Sequence, residues 1–145
     1  MRNHMSLFNV SAVCLFLVLN IQGSVAGADS VKPSAEQVQQ WLKEAEKGEA
    51  KAQCELGACY LWGKGVGQSF PDSEKWFRKS AEQGNDDAQF YVGFFCSLNL
   101  DAGQRLSESV EWFRKASEQG NPKAQNCLGV AYAKGEGVKC PLGLL

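Results

Sequence analysis

From residue 49 onward, apolar and small residues recur with a helical period, and the whole pattern returns every 36 residues. On a wheel of about 100° per residue, Ala52, Gln53, Leu56, Gly57 and Tyr60 share one side. That is the i, i+3/i+4 spacing of a packed helix face. The small residues Ala52 and Gly57 let a neighbouring helix come close. Gly63-x-Gly65 then stops the helix, as glycine does past a C-terminus. A second helical pattern follows Ser69, whose Ser69-x-x-Asp72 spacing is a variant of the capping box. It turns Ser73, Trp76, Phe77 and Ser80 inward and Lys75, Arg78, Lys79 and Glu82 outward. Gly84 ends it, and Asn85-Asp86 opens the next unit.

The repetition is dense enough to define the domain. Gly48, Gly84 and Gly120 are spaced by 36 residues, as are Ala52, Ala88 and Ala124, then Gly57, Gly93 and Gly129. Trp76-Phe77-Arg78-Lys79 returns as Trp112-Phe113-Arg114-Lys115. Fixed-period self-similarity of this kind marks a stack of like units. A partial unit precedes the first full one, with residues 40–48 aligning on 76–84 and Ser34 as N-cap. The spacing predicts helices over about 34–47, 49–62, 70–83, 86–97, 105–119 and 122–133. Paired and stacked, they form an all-α, right-handed α/α solenoid of about two and a half repeats. Its units are 34–48, 49–84, 85–120 and 121–140, with a disordered lead over 27–33 and a tail over 141–145.

The first residues read differently. Arg2 precedes an apolar run over 7–19, and Gly23-Ser24-Val25-Ala26 supplies small residues for cleavage. This is a secretory signal over 1–26, and the run is shorter than the roughly 20 residues a membrane span needs. The expected location is therefore the periplasm or beyond, with no membrane span left after cleavage. His4, the chain's one histidine, leaves with the signal. Without imidazole, Ser-His-Asp and Cys-His catalysis and histidine-ligated metal sites are excluded. The net charge of −1 from 15 Lys+Arg and 16 Asp+Glu offers no footprint for nucleic acid. No metal or other cofactor is implied.

The residues that carry the repeat resemble the Sel-one-like repeat, a relative of the tetratricopeptide repeat. The matching positions are Ala52, Leu56, Gly57, Tyr60, Gly63, Gly65 and Val66, then Ser73, Trp76, Ser80 and Gly84. The third copy reads Ala124, Leu128, Gly129, Tyr132, Gly135, Gly137 and Val138. Leu56, Gly57, Tyr60, Trp76, Gly93, Trp112, Leu128 and Gly129 are then the structural residues. The resemblance implies an adaptor or scaffold in a protein complex; secreted bacterial members often act in envelope or host-contact processes. There are departures. Ser73 and Ser109 replace the family's alanine, and Asn99-Leu100-Asp101 replaces Gly63-x-Gly65, so the second interhelix turn should differ. No second helix follows Val138, so either the tail folds back, another chain covers this end, or the chain is a truncated version of a longer protein, the reading favoured here.

Five cysteines follow the signal: Cys54, Cys59, Cys96, Cys127 and Cys140. Cys59 and Cys96 sit at similar heights on neighbouring first helices and are the candidate disulfide. The alternative is that they are buried thiols acting as small hydrophobes. Some family members staple helices by a disulfide eight residues apart; the corresponding positions here are Ala45/Gln53 and Ala81/Gln89, so that scheme is absent.

The face of each first helix opposite Leu56 lines the concave groove in solenoids of this kind. Trp62, Phe90, Phe94 and Leu98 are expected there as an apolar strip, rimmed by Lys51, Asp87, Lys123 and Lys134. An exposed apolar strip with a polar rim suits a protein or peptide partner. The leading reading is a non-enzymatic, exported protein-binding module. The others are an envelope enzyme of the penicillin-binding or hydrolysing type, as cysteine-rich relatives suggest, and a truncated product without function. No Ser-x-x-Lys follows the signal to support the enzyme.

Overall fold

The computed structural model describes residues 32–98 and 102–135, without the side chains of 102–105 and 134. Among them are α1 (Ala35–Glu46), α2 (Ala50–Trp62), α3 (Phe70–Glu82), α4 (Asp86–Leu98), α5 (Ala102–Glu118) and α6 (Pro122–Lys134), and no strand. Each helix packs on the next in chain order. The signal segment, most of the lead, Cys140 and the tail 141–145 lie outside the described residues.

The helix ends follow from local chemistry. Ser34 accepts a hydrogen bond from the Gln37 amide at 3.1 Å and caps α1. Ser69 accepts from the Asp72 amide at 3.3 Å while its own hydroxyl donates to the Asp72 carboxylate at 2.6 Å. Asn85 caps α4 through the Ala88 amide, and Asn121 caps α6 through those of Lys123 and Ala124. The units are joined at Gly48, Gly84 and Gly120, whose φ values of 99°, 95° and 93° lie where a side chain would be strained. The second interhelix turn does differ. α5 starts at Ala102, whereas α3 starts at Phe70, four residues later within its unit.

Inside each repeat the two helices close on a glycine. A Cβ at Gly57 would stand 2.9 Å from the Phe77 ring, and one at Gly93 would stand 2.8 Å from that of Phe113. The serines that replace the family's alanine bind the same glycines. Ser73 donates to the Gly57 carbonyl at 2.8 Å, and Ser109 donates to that of Gly93 at 2.7 Å. The hydroxyls are buried but satisfied, so they cost little.

Between repeats, aromatic stacking and a glutamine seam make the joint. Phe77 stacks on Tyr91 with centroids 4.3 Å apart. Gln53 donates to the Ala45 carbonyl at 3.0 Å, and Gln89 donates to that of Ala81 at 3.3 Å. Gln83 and Gln119 donate in turn to the side chains of Gln53 and Gln89, at 2.8 and 2.9 Å. The pairs Ala45/Gln53 and Ala81/Gln89 are thus held by hydrogen bonds.

The apolar interior has two parts. The first gathers Val38, Ala45, Ala52, Leu56 and Cys59, with Trp41, Leu42, Tyr60, Val66 and Trp76 packed against it. The second is built around Phe77, α4 and Phe113, with Ala58, Trp62, Leu98, Trp112 and Leu128 packed on it. In each Trp-Phe pair the phenylalanine is sealed and the tryptophan half-exposed. Trp76 and Trp112 lie under the ammonium groups of Lys79 and Lys115, at 4.6 and 4.4 Å from the ring centres.

Two expectations about structural residues are corrected. Gly129 is exposed, with nothing within 4 Å of an added Cβ, because among the described residues no second-type helix follows α6 to close on it as Phe77 closes on Gly57. Cys59 and Cys96 form no disulfide, since Cys59 belongs to the first cluster and Cys96 to the second. Burial pushes each of these thiols up to about 11.

Candidate functional site

The expected groove floor is only partly open. Phe90 and Phe94 are 1% and 3% exposed, so neither lines a free surface. The cause is the composition of α4. Every residue from Ala88 to Cys96 is buried, and a helix that is apolar all round is enclosed on every side. Cys54 and Leu61 of α2 and Ala124 and Cys127 of α6 share a cluster with these rings. The face opposite Leu56 is closed on α2 as well, where Cys54 and Leu61 are buried, because side chains of α2, α4 and α6 share one cluster.

What remains on this face is two rows. Lys51, Asp87 and Lys123 occupy equivalent positions near the starts of α2, α4 and α6. Trp62, Leu98 and Lys134 occupy equivalent positions at the ends of the same helices. The rows are three helical turns apart, about 16 Å. Lys51 is exposed; Trp62 and Leu98 are half-buried, with one side packed on the core. The Lys134 side chain lies outside the described residues.

The charged row is tied together rather than free. The Lys123 ammonium lies 3.4 Å from the Asp87 carboxylate, and its side chain is only 12% exposed. It also sits 5.8 Å from the Phe90 ring centre and 5.9 Å from that of Tyr91, where a cation is attracted to the ring face. Asn121, buried, donates to Asp86 at 2.9 Å and to Asp87 at 3.2 Å. Glu55 stands in the same region. Burial raises its carboxyl above the usual range, Lys51 counters this, and Asp87 adds to it. The sequence reading passed over Asn121 and Glu55. The 36-residue recurrence of asparagine at 85 and 121 was the available signal for the first.

Other charged groups form a separate patch on α3 and α5. Arg78 bridges Glu74 at 3.3 Å and Glu108 at 3.1 Å, and the Trp112 indole donates to Glu108 at 3.3 Å. Of these, the Arg78–Glu108 bond joins the second helices of successive repeats, and the other two each lie within one helix. Among the described residues, no three His, Cys, Asp or Glu side chains converge as a metal site would require, and no helix is long and apolar enough to cross a membrane.

Comparison with known proteins fits this architecture. A family model for the Sel1 repeat matches residues 50–85, 86–121 and 122–139, each unit beginning one residue after the boundary read from the sequence. No curated protein matches the chain. A solved Sel1 repeat protein from Oxalobacter formigenes is 34% identical with a TM-score of 0.66, over 90% of this chain and 52% of its own. A protective antigen present in uropathogenic Escherichia coli strains, which displays the same fold, is 30% identical with a TM-score of 0.65, over 90% of this chain and 27% of its own. The chain thus spans about half and about a quarter of these two relatives. Sel1 repeats generally mediate protein–protein interaction, and the fold is typically a non-enzymatic scaffold. With three successive matches, a glycine-to-phenylalanine closure in each complete unit and solved relatives of the same fold, this chain belongs to the Sel1 repeat family.

Proposed function

We propose that the chain is an exported protein-binding module that holds a protein or peptide segment along the face shared by its first helices. The observation that carries this reading is the pair Trp62 and Leu98. They stand at the same place in consecutive repeats and are half-buried, although Phe90 and Phe94 beneath the same face are sealed. Equivalent positions on α2 and α4 give a partner segment two regularly spaced apolar anchors. Lys51 and the Asp87–Lys123 pair supply a polar margin on one side. Such a surface suits a backbone with alternating apolar and polar side chains. The apolar run and small-residue junction over 1–26 support export, and the described part adds no membrane-crossing helix.

The test is capture from the envelope fraction of the native host, with the chain as bait. Trp62→Ala combined with Leu98→Ala should weaken retention of the captured protein by about 2 kcal/mol for each anchor lost. The helical signal should persist, because Phe77, Phe90 and Phe113 keep the core filled. Undiminished capture by the folded double variant would remove this face from the interaction.

A further inference from the structure

What stays open on α2 is a single stripe. Lys51, Glu55, Ala58 and Trp62 follow one another at intervals of four, three and four residues, so they share one side of the helix. Lys51 is exposed and the other three are half-buried, whereas the remaining residues from Ala52 to Leu61, Tyr60 excepted, are buried. Tyr60 packs on the first cluster, and Ala58 and Trp62 pack on the second. Glu55 and Trp62 are seven residues apart, about two turns or 10 Å, with the methyl group of Ala58 between them.

Glu55 breaks the pattern of the stack. Tyr91 and Cys127 hold its place in the next two repeats, and both are buried in the apolar interior. The repeat assigns this place to a core side chain, and α2 puts a carboxylate there. Among the described residues Glu55 forms no hydrogen bond or ion pair. Its acidic neighbours are partnered: Asp86 accepts from Asn121, and Asp87 accepts from Asn121 and Lys123. Glu55, Asp86, Asp87 and Lys123 all act on the buried Cys54 thiol, and Lys51 acts on Glu55 from the exposed end. Three carboxylates against two ammonium groups leave this end of the face with one negative charge in excess. A half-buried carboxylate in such a place has lost part of its hydration and gained no partner in return.

We propose that Glu55 anchors a basic side chain, lysine or arginine, of the peptide segment held on this face. The aliphatic stem of that side chain crosses Ala58, whose single methyl group leaves room for it, and its charged head meets the Glu55 carboxylate. A large apolar residue of the same segment packs on Trp62, about 10 Å further along. The proposal rests on the reading of Trp62 and Leu98 as the partner face, and adds the partner's charge: a basic segment rather than an acidic or wholly apolar one.

Selection of binders to the full chain from a displayed library of random peptides reads this directly. The selected sequences should be enriched in lysine or arginine at a fixed spacing from a large apolar residue. For a synthetic peptide of selected sequence, replacing the basic residue by norleucine should weaken binding about tenfold, and so should Glu55→Gln in the chain. The two changes together should cost little more than either alone, since each removes the same ion pair. Glu55→Gln should not lower the melting temperature, because the carboxylate bonds nothing in the free chain. Selected peptides without basic enrichment, or binding that Glu55→Gln leaves unchanged, overturn the proposal; if Trp62→Ala still weakens those peptides, the partner face itself stands. A library that yields no binder, or binders indifferent to Trp62→Ala, removes the proposal together with the face on which it rests.

Discussion

The same residue at the same place in three copies does two different kinds of work: Gly57 and Gly93 each receive a phenylalanine ring, and Gly129 does not. Gly93 faces the Phe113 ring at 2.8 Å and the Ser109 carbonyl at 3.2 Å, so a methyl group must displace a buried ring. Gly93→Ala is expected to cost about 1–3 kcal/mol through overpacking, partly offset by about 0.5–1 kcal/mol of helix propensity. Gly129→Ala meets no neighbour among the described residues and should collect the propensity gain alone. Thermal melts of the two variants should therefore move in opposite directions. Equal shifts would mean that the helices do not close on Gly93. The small-residue pattern on the first-helix face was enough to single out Gly57 and Gly93, because close approach needs only the absence of a side chain. It overreached at Gly129, since a repeat pattern specifies a residue and not whether its neighbour is there. The roles of Ser73 and Ser109 were not legible: a hydroxyl in place of alanine looks like a defect until the glycine carbonyl it binds is in view.

At the scale of the element, helix positions were largely legible, since caps and glycine stops are local chemistry. Five of the six helices start and end within one residue of the predicted bounds. The exception is α5, which starts three residues early, where the Gly-x-Gly stop of the first turn is missing. Which faces are buried was less legible. A wheel reports the preference of one helix, and α2 and α4 both depart from it, since Cys54, Leu61, Phe90 and Phe94 are buried in a cluster shared with flanking units. Phe90 touches Tyr91 edge-on at 5.2 Å and Phe113 at 5.9 Å, deep in the larger cluster. Phe90→Ala should therefore lower stability by about 3–5 kcal/mol, a large part of the total for so small a domain. Chemical denaturation followed by circular dichroism checks this. A loss below about 1 kcal/mol would mean that the ring lies at a surface, as the sequence alone suggests.

For the whole molecule, the family and the stack were legible because a 36-residue period is a global signal, whereas the partner face was not. Which side chains stay exposed depends on how the units stack, and no single unit specifies that. Export is a whole-chain property as well. The segment 1–26 holds one arginine and no acid, so its removal leaves 14 basic and 16 acidic residues, a net charge of −2. Mass spectrometry of protein from the native host is expected to find a chain beginning at Gly27 or Asp29. An intact Met1 in the cytosol would refute export.

The ion pair between Asp87 and Lys123 has a bearing on how such a chain can grow. Structural contacts recur every 36 residues, but the row Lys51, Asp87, Lys123 alternates in sign, so its electrical period is 72 residues. An in-frame duplication of residues 85–120 would preserve every glycine, phenylalanine and glutamine contact, yet it would set a second aspartate where Lys123 now meets Asp87. Like charges at that separation, half-buried and over aromatic rings, repel appreciably. Duplication of residues 49–120 would insert a lysine first and an aspartate second, and the alternation would run on unbroken. For this row of charges, an insertion of two units is thus easier to accommodate than an insertion of one.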